Sequence, residues 1–402
     1  MSAQQYPLKG ITVIDLSHVY NGPYATFLMA MAGATVIKVE PFQGEHLRSR
    51  GDMGGAALPF AMLNSNKKPV TLNLKSEKGK QLLRELVKKA DILVENFAPG
   101  VMDRLGVGAD ALHEINPRLV YGSSSGYGKD GPYRDYPAMD LVMQAMSGVI
   151  DSTGHPDQPP VKSGAAMCDF MAGIHLYAAI MTALYERERT GAGRTVEVTM
   201  QDATYASLAS NLGMLHARGD KAPARTGNRH GGLGISPYNV YPTNDGYVVL
   251  NCPGDHHFRA VLDVLGRSDL KDDPRFVSRS SRVANFEAVD ALIEGWTKTV
   301  SKYHVAKLML AQEVPVPCAP VRSLGEVMED ENMHARGSLQ RIQHPELGEV
   351  VLPHSPLVFE GSDRRVIEPS LPLGACNDEV YGQLLGHSSE ELAALKAEGV
   401  IS

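Results

Sequence analysis

Asp169 is the residue of this chain whose type and position most clearly suggest chemistry. It follows a short polar and small-residue segment, 163–168, and heads an apolar stretch that ends in charged residues at 186–193. Burying a carboxylate is costly unless something stabilises it or uses it. A helix N-terminus favours an anion through its dipole and its free N–H groups. The pattern predicts a helix headed by Asp169, acting as a nucleophile or base or, as the local pattern alone favours, as a plain helix cap.

Other groups are typical of catalytic or binding sites, but each has a simpler interpretation. Gly122–Gly126 matches the G-x-S-x-G pattern with Ser124 as the nucleophile, yet the helix that a nucleophile elbow needs does not follow. The glycines at 231–234 lack the flanking strand and helix of a dinucleotide loop. They fit a flexible lid and an ordinary linker about equally well. His256 and His257 have no third ligand at metal-binding spacing, so no metal site is predicted.

Length and composition narrow the class of protein. The chain has 402 residues, enough for two or three domains, and a net charge of −7, which argues against a nucleic-acid partner. Its four cysteines show no CxxC spacing, which is typical of reduced thiols in the cytoplasm. The N-terminus lacks the features of a signal peptide, and no uncharged stretch of 18 apolar residues is present. We therefore expect a cytoplasmic protein without a membrane partner.

Short apolar segments alternate with amphipathic ones through the first half of the chain. This alternation predicts an α/β fold in which a parallel sheet carries helices on both faces. After about residue 215 the chain becomes polar and rich in glycine, and Asn244-Asp-Gly then marks a hairpin. We expect a large α/β domain over 1–215 and 326–402, with linkers and a small α+β domain over 216–325. The predicted strands of the large domain are 11–16, 35–39, 70–74, 91–95, 118–122 and 195–199.

Three polar loops lie between elements of the predicted sheet. They are 44–48, 64–68 and 96–100, and all contain basic or amide side chains. In an open parallel sheet, ligands bind where the strands end at their carboxyl termini. Together the loops predict a pocket for a phosphorylated ligand.

Several segments, in this order, resemble the class III coenzyme A transferase family. The resemblance runs from Leu8 to about Val400, nearly the whole chain. Each segment alone is weak, but their order along the chain is specific. They are Leu-Lys-Gly-Ile-Thr-Val-Ile-Asp-Leu at 8–16, Gly22-Pro23, Gly33-Ala-Thr-Val-Ile-Lys-Val-Glu40, Asn64-Ser-Asn-Lys67, Val94-Glu-Asn-Phe-Ala-Pro-Gly100, Asn116-Pro-Arg-Leu, Asp169, and Arg189-Thr-Gly-Ala-Gly-Arg194.

The resemblance implies a Rossmann-like large domain, an interlocked homodimer and roles for individual residues. Asp169 matches the nucleophile, and Gly231, Gly232 and Gly234 match a mobile loop over it. The family's basic residue near the end of the second strand is replaced by Glu40-Pro41, so Lys38 or Arg48 is expected to substitute. The residues that match contacts to coenzyme A are Tyr20, Asn21, Leu72, Lys75, Asn96, Phe97, Ala98, Arg104, Met139 and Asp140.

The implied reaction moves CoA from an acyl-CoA thioester to a free carboxylic acid through covalent aspartyl intermediates. No permanently bound cofactor is expected. One alternative is racemisation of a 2-methylacyl-CoA, but Met139 stands where the racemases carry a histidine and cannot take a proton. A serine hydrolase using Ser124 is a second alternative. The oxalate-specific enzymes carry an aromatic residue at the place of Met139, so we expect a larger acid here, in a small dicarboxylate system such as succinyl-CoA.

Overall fold

The structure, a computed structural model, describes residues 6–49 and 57–402. Its backbone contacts divide the chain into two compact units. The first comprises the described parts of 1–143, 165–204 and 330–402, and the second comprises 144–164 and 205–329. The second unit therefore includes 144–164 and 205–215, which the sequence-based division placed in the large domain.

Six parallel strands form the sheet of the first unit, in the order β3-β2-β1-β4-β5-β6. The order reverses between β1 and β4, and this topological switch point is where ligands bind in doubly wound folds. The Rossmann-like fold class is thus confirmed. The strands of the described residues are β1 (Thr12–Asp15), β2 (Thr35–Glu40), β3 (Lys67–Thr71), β4 (Ile92–Glu95), β5 (Val120–Ser125), β6 (Thr195–Thr199), β7 (Tyr238–Thr243), β8 (Gly246–Asn251), β9 (Cys318–Pro320), β10 (Leu339–His344) and β11 (Gly348–Pro353).

The α-helices alternate with the strands of the first unit and make up much of the second. Their bounds in chain order are α1 (Asn21–Met31), α2 (His46–Ser49), α3 (Ala57–Asn64), α4 (Glu77–Val87), α5 (Val101–Arg104), α6 (Ala109–Ile115), α7 (Asp140–Met146), α8 (Val149–Ser152), α9 (Met167–Thr190), α10 (Met200–Tyr205), α11 (Ala209–Arg218), α12 (Asp255–Val264), α13 (Arg279–Ala284), α14 (Phe286–Thr297), α15 (Lys302–Leu310), α16 (Leu324–Met328), α17 (Glu331–Ala335) and α18 (Ser389–Ala397).

Both faces of the parallel sheet are covered by apolar side chains. Ile14 on β1 belongs to a core that includes Leu83 of α4 and, near the C-terminus, Ile401. Its neighbour Val13 points to the opposite core, which is formed with α1 and α9. Alternate residues of a strand point to opposite faces, so burial on both faces yields a continuous apolar strand, as the sequence predicted.

Helix α9 passes through the first unit as a core helix. Among residues 6–49 and 57–402 it alone has the length and apolar composition of a membrane span. Its buried residues Leu176 and Ile180 instead pack with α1 on the sheet. A Cβ on Gly173 would lie 2.6 Å from the carbonyl oxygen of Asn21, so the glycine permits the close approach of α9 to the start of α1.

The second unit contains an antiparallel sheet of β7, β8 and β9. The predicted hairpin is present, and its strands meet at Thr243 and Gly246. Val248 of β8 packs with Phe258 of α12 and Ile293 of α14 in a separate core. The helices α14 and α15 follow each other closely, with four residues between them.

Candidate active site

A cavity of about 380 Å³ lies at the carboxyl end of the parallel sheet, where β1, β4 and β5 end. It therefore occupies the topological switch point, where the fold favours a ligand. Asp169 forms part of its wall. The lining residues are His18, Val19, Asn21, His46, Asn96, Phe97, Ala98, Ser124, Ser125, Gly126, Ala138, Met139, Asp169 and Met200.

Asp169 is the third residue of α9, and the helix cap is provided by another side chain. The N-cap position is Ala166, which makes no side-chain hydrogen bond. The Oδ1 atom of Asp140 accepts hydrogen bonds from the backbone N–H groups of Cys168 at 2.9 Å and Asp169 at 3.1 Å. The interpretation of Asp169 as a plain helix cap is therefore wrong, because Asp140 takes the N–H groups that a cap would bind.

The environment of Asp169 favours its neutral form. Its side chain is 9% exposed. Burial, followed by the negative charge of Asp140, raises the pKa of Asp169 from 3.8 to about 7, although a hydrogen bond from the backbone N–H of Asn21 opposes the shift. A carboxyl group with this pKa is partly ionised at neutral pH, and no cation among the described residues offsets the shift, which is typical of functional carboxyl groups.

The side chain of Asn21 joins the start of α1 to the end of β5. Its Nδ2 atom donates to the Oγ atom of Ser124 at 2.9 Å. The Ser124 hydroxyl in turn donates to the carbonyl oxygen of Val198 at 2.9 Å. Because its proton is held by this carbonyl and no helix follows β5 directly, Ser124 does not form a nucleophile elbow. The geometry contradicts the serine-hydrolase alternative.

The residues matched to coenzyme A contacts fall into two groups in the structure. Asn21, Asn96, Phe97, Ala98 and Met139 line the cavity together with Asp169. The remaining five lie outside this lining: Tyr20, Leu72, Lys75, Arg104 and Asp140.

These five residues have different surroundings. Tyr20 stacks on Phe170 with ring centroids 6.1 Å apart. Leu72 is buried in the core that contains Ile14, so its side chain is unavailable to a ligand. Lys75 and Arg104 are exposed. Asp140 acts on the cavity through the first turn of α9 rather than as part of the lining.

Two guanidinium groups converge beside the loop that follows β4. Gly100 has a φ of 77°, and a Cβ placed on it would lie 3.1 Å from Nη1 of Arg104 and 3.3 Å from Nη2 of Arg134. A polar cavity of about 290 Å³ adjoins this loop and shares Phe97 and Ala98 with the Asp169 cavity. Paired arginines are suited to phosphate.

Of the two expected substitutes for the missing basic residue at Pro41, Lys38 is unavailable to a ligand. Lys38 is 1% exposed; it pairs with Asp15 and donates to the carbonyl oxygen of Ser17. Arg48 binds Glu40 through two nitrogens, each at 3.0 Å, and lies outside the lining of the Asp169 cavity. The expectation is therefore wrong for Lys38, whereas for Arg48, which lines a different cavity, it stays a prediction.

The loop at 64–68 is an internal brace rather than the wall of a ligand pocket. Lys67 is 2% exposed, and its Nζ atom donates to Asp15 at 2.9 Å, Thr26 at 2.8 Å, the carbonyl oxygen of Pro23 at 3.0 Å and Asn64 at 3.2 Å. These contacts hold the first turn of α1 against β1 and β3. Strand β3 begins at Lys67, three residues before the predicted strand. The prediction started too late because a lysine is ordinarily exposed, whereas Lys67 is buried and paired with a carboxylate.

His18 and the strained Val19, which follow β1, were not predicted as site residues, and His46 was predicted only as part of the 44–48 loop. His18 and His46 line the cavity with ring centroids 5.5 Å apart. Burial, followed by the charges of Lys38 and His46, lowers the pKa of His18 to about 4, so its ring is neutral at pH 7. Val19 has a φ of 66°, which is unfavourable for a β-branched residue. The position of His18 and Val19 directly after β1 was the signal that would have identified them, whereas His46 follows β2.

The glycines expected to form a lid, Gly231, Gly232 and Gly234, belong to the second unit. The backbone N–H of Gly232 donates to Nδ1 of His230 at 3.1 Å, and Leu233 has a φ of 47°. These features define a tight turn. Its role as a lid stays a prediction.

Comparisons with known proteins show which family the chain belongs to. The family model for CoA-transferase family III matches residues 8–376. The acetyl-CoA:oxalate CoA-transferase of Acetobacter aceti is 41% identical over 370 residues, which are 91% of this chain and 92% of that protein. The formyl-CoA:oxalate CoA-transferase of Streptomyces avermitilis is 39% identical and covers 98% of this chain and 99% of its own length.

Solved structures that are similar to this chain support the same family assignment. A CaiB/BaiF family protein from Brucella suis superimposes with a TM-score of 0.82 at 33% identity, over 95% of this chain and 100% of that one. The Rv3272 protein of Mycobacterium tuberculosis gives a TM-score of 0.81 at 27% identity, over 93% of this chain and 99% of that chain. Given a family match over most of its length and relatives of this similarity, the chain belongs to CoA-transferase family III and is a CoA-transferase.

Proposed function

We propose that Asp169 is the nucleophile that transfers CoA between an acyl-CoA thioester and a free carboxylic acid. The observation that carries the proposal is the placement of this carboxyl group in the cavity wall at the sheet's switch point, with a raised pKa that no cation among residues 6–49 and 57–402 offsets. A carboxylate is a weak nucleophile, so orientation against the bound thioester must supply much of the rate, on the order of 7–11 kcal/mol.

The reaction proceeds through two kinds of covalent intermediate. The ionised carboxylate of Asp169 attacks the thioester carbonyl and expels CoA thiolate, giving a mixed anhydride. The thiolate attacks the Asp169 carbonyl of this anhydride, which releases the donor acid and leaves an aspartyl-CoA thioester. The acceptor carboxylate repeats both steps in reverse and regenerates Asp169. No net proton is exchanged, and water has to be excluded because it hydrolyses both intermediates.

Coenzyme A binding is proposed along the edge of the sheet formed by the loops after β1 and β4. Asn21, Asn96, Phe97, Ala98 and Met139 surround the thioester end in the Asp169 cavity. Arg104, supported by Arg134, binds a phosphate group of the nucleotide end, and Lys75 and the backbone of Leu72 and Tyr20 contribute further contacts. Gly231, Gly232 and Gly234 close over the bound thioester. This division places the apolar and amide side chains near the reaction and the guanidinium groups near the phosphates.

The acid partner is proposed to be a small dicarboxylate. Met139 is a flexible thioether that lines the cavity, which favours an acid larger than oxalate, such as succinate with succinyl-CoA as the donor. The names of the two relatives instead favour oxalate, with acetyl-CoA or formyl-CoA as the donor. Mass spectrometry of a matrix of acyl-CoA donors against oxalate, formate, acetate and succinate distinguishes the two.

The exposed face of α9 supports a homodimer as a further part of the proposal. Ile174 is 45% exposed and Tyr185 is 69% exposed, three helical turns apart on the same side. Apolar side chains aligned on one helix face are typical of a surface covered by a partner. We expect light scattering to give twice the mass of the 43.4 kDa chain and Tyr185→Glu to lower it. We also expect a cytoplasmic enzyme, in accord with its four buried free cysteines.

The assignment of the nucleophile is tested by Asp169→Ala. We expect the variant to lose exchange between labelled succinate and succinyl-CoA, and between labelled oxalate and an acyl-CoA. Transfer at the wild-type rate in the variant contradicts the proposal. The racemase alternative predicts instead that deuterium enters the α-carbon of a 2-methylacyl-CoA in D₂O.

A further inference from the structure

The orientation of the Asn21 side-chain amide follows from its neighbours. Its nitrogen lies 2.9 Å from the Oγ atom of Ser124. The single proton of that hydroxyl is donated to the carbonyl oxygen of Val198, an atom that can only accept. The Ser124 oxygen must therefore accept from Asn21, which fixes Nδ2 toward Ser124 and Oδ1 on the other side of the amide.

The Oδ1 atom of Asn21 is left without a hydrogen-bond partner among the described residues. The residue is 3% exposed and forms part of the wall of the Asp169 cavity. An unpaired buried acceptor is unfavourable, and in a native structure it requires an explanation. Because the atom belongs to a residue of the cavity wall, a hydrogen-bond donor brought by the ligand can supply the missing partner.

The chemistry of the reactants limits which group can donate a hydrogen bond to Oδ1 of Asn21. A carboxylate, a thiolate and a thioester carbonyl are all acceptors and cannot satisfy another acceptor. The arm that carries the sulfur of an acyl-CoA contains secondary amides, and the amide nearest the sulfur brings an N–H group close to the thioester. This group has the hydrogen-bonding character that the unpaired oxygen needs.

We propose that Oδ1 of Asn21 accepts a hydrogen bond from the acyl-CoA amide nearest the thioester. The backbone N–H of the same residue donates to the carboxylate of Asp169. One residue thus contacts the nucleophile and the arm of the substrate, and it sets the position of the thioester carbonyl relative to Asp169. Asn21 is a positioning residue in this account, which rests on the proposed CoA transfer by Asp169.

The test compares two full-length donors with the same acyl group. One is the natural acyl-CoA, and the other carries an ester in place of the amide nearest the sulfur. The wild-type enzyme should use the natural donor with a kcat/KM about tenfold or more higher, because the ester removes the N–H group and leaves the oxygen of Asn21 unpaired. In Asn21→Leu and in Asn21→Ala, the ratio of the two kcat/KM values should fall close to one.

Ser124→Ala is the matched control. It removes the hydroxyl partner of the Asn21 nitrogen but keeps the Asn21 side chain, whose amide can still turn its oxygen to the substrate N–H group, so the preference for the natural donor should persist. A wild-type enzyme that uses both donors equally overturns the inference without any variant. So does an unchanged preference in both Asn21 variants. If the proposed CoA transfer itself is wrong, the result is different, because the wild-type enzyme then transfers no CoA from the natural acyl-CoA.

Discussion

Asp15 and Asp169 are two buried carboxyl groups of the same unit, but the neighbouring charges are positive around Asp15 and negative beside Asp169. Asp15 lies 2.9 Å from Nζ of Lys67 and 3.7 Å from Nζ of Lys38. Asp169 has the negative Asp140 as its charged neighbour. Burial alone raises the pKa of Asp15, but both lysines and two hydroxyl groups outweigh it and hold the pKa well below its ordinary value.

This difference distinguishes a carboxylate that stabilises the fold, Asp15, from the carboxylate that we propose to react, Asp169. Asp15 is permanently ionised, holds the first turn of α1 and has no exposed surface. Asp169 keeps a raised pKa and a position on the cavity wall. Charge that is fully compensated stabilises a fold, whereas charge that is left uncompensated at a cavity is available for reaction.

Asp169→Asn should abolish transfer while leaving the protein folded. We expect kcat to fall by roughly 10⁴-fold or more, the scale on which covalent nucleophiles act. Asp378→Asn is the matched control, because the side chain of Asp378 is 80% exposed. Steady-state transfer measured by mass spectrometry checks the prediction. A loss of less than about tenfold would show that Asp169 assists the reaction without forming the intermediate.

Asp15→Asn should have the opposite profile, with the main effect on folding. The substitution leaves Lys67 and Lys38 buried without their counter-ion, and breaking such a cluster costs about 3–5 kcal/mol. Urea unfolding, compared with the same Asp378→Asn control, measures the loss. A change below about 1 kcal/mol would mean that water or a local rearrangement already solvates these lysines.

The two carboxyl groups should make stability depend on pH in opposite directions. The folded-state pKa of Asp169 is raised to about 7, so its contribution is complete below pH 4 and is lost as the pH rises through 7. Asp15 has a depressed pKa, so its contribution is present above pH 4 and is lost in acid.

The stability of Asp169→Asn relative to the wild type measures this dependence. The advantage of the variant should grow between pH 4 and 7 by up to about 4 kcal/mol. Chemical denaturation at several pH values provides the comparison. An advantage that does not change with pH would indicate an ordinary pKa for Asp169.

Asp140→Asn should produce the smallest of these changes. The asparagine oxygen can still accept from the N–H groups of Cys168 and Asp169, but the negative charge that raises the Asp169 pKa is gone. We expect the acid limb of kcat/KM against pH to lie near 7 in the wild type, where burial and Asp140 both raise the pKa of Asp169, and to move to lower pH in the variant. An unmoved limb would assign it to another group.

The sequence predicts the sheet and the place of Asp169 at the head of α9 better than it predicts the polar contacts around them. The apolar strands and the isolated carboxyl group are local patterns, and both were identified. Lys67 and Lys38 were misjudged because a lysine that is buried beside Asp15 has the same local sequence as an exposed one. His18 and His46 meet only in the fold, 28 positions apart in the chain. Long-range pairing of charges and rings cannot be read from spacing.

The most direct test of the account is to trap the covalent intermediate. The enzyme is incubated with an acyl-CoA donor and then treated with hydroxylamine, and its peptides are analysed by mass spectrometry. The account predicts a hydroxamate on the peptide that contains Asp169, located on that side chain and formed only when the donor is present. Transfer activity in the same sample with the modification on another residue, or with no modified residue, would contradict it.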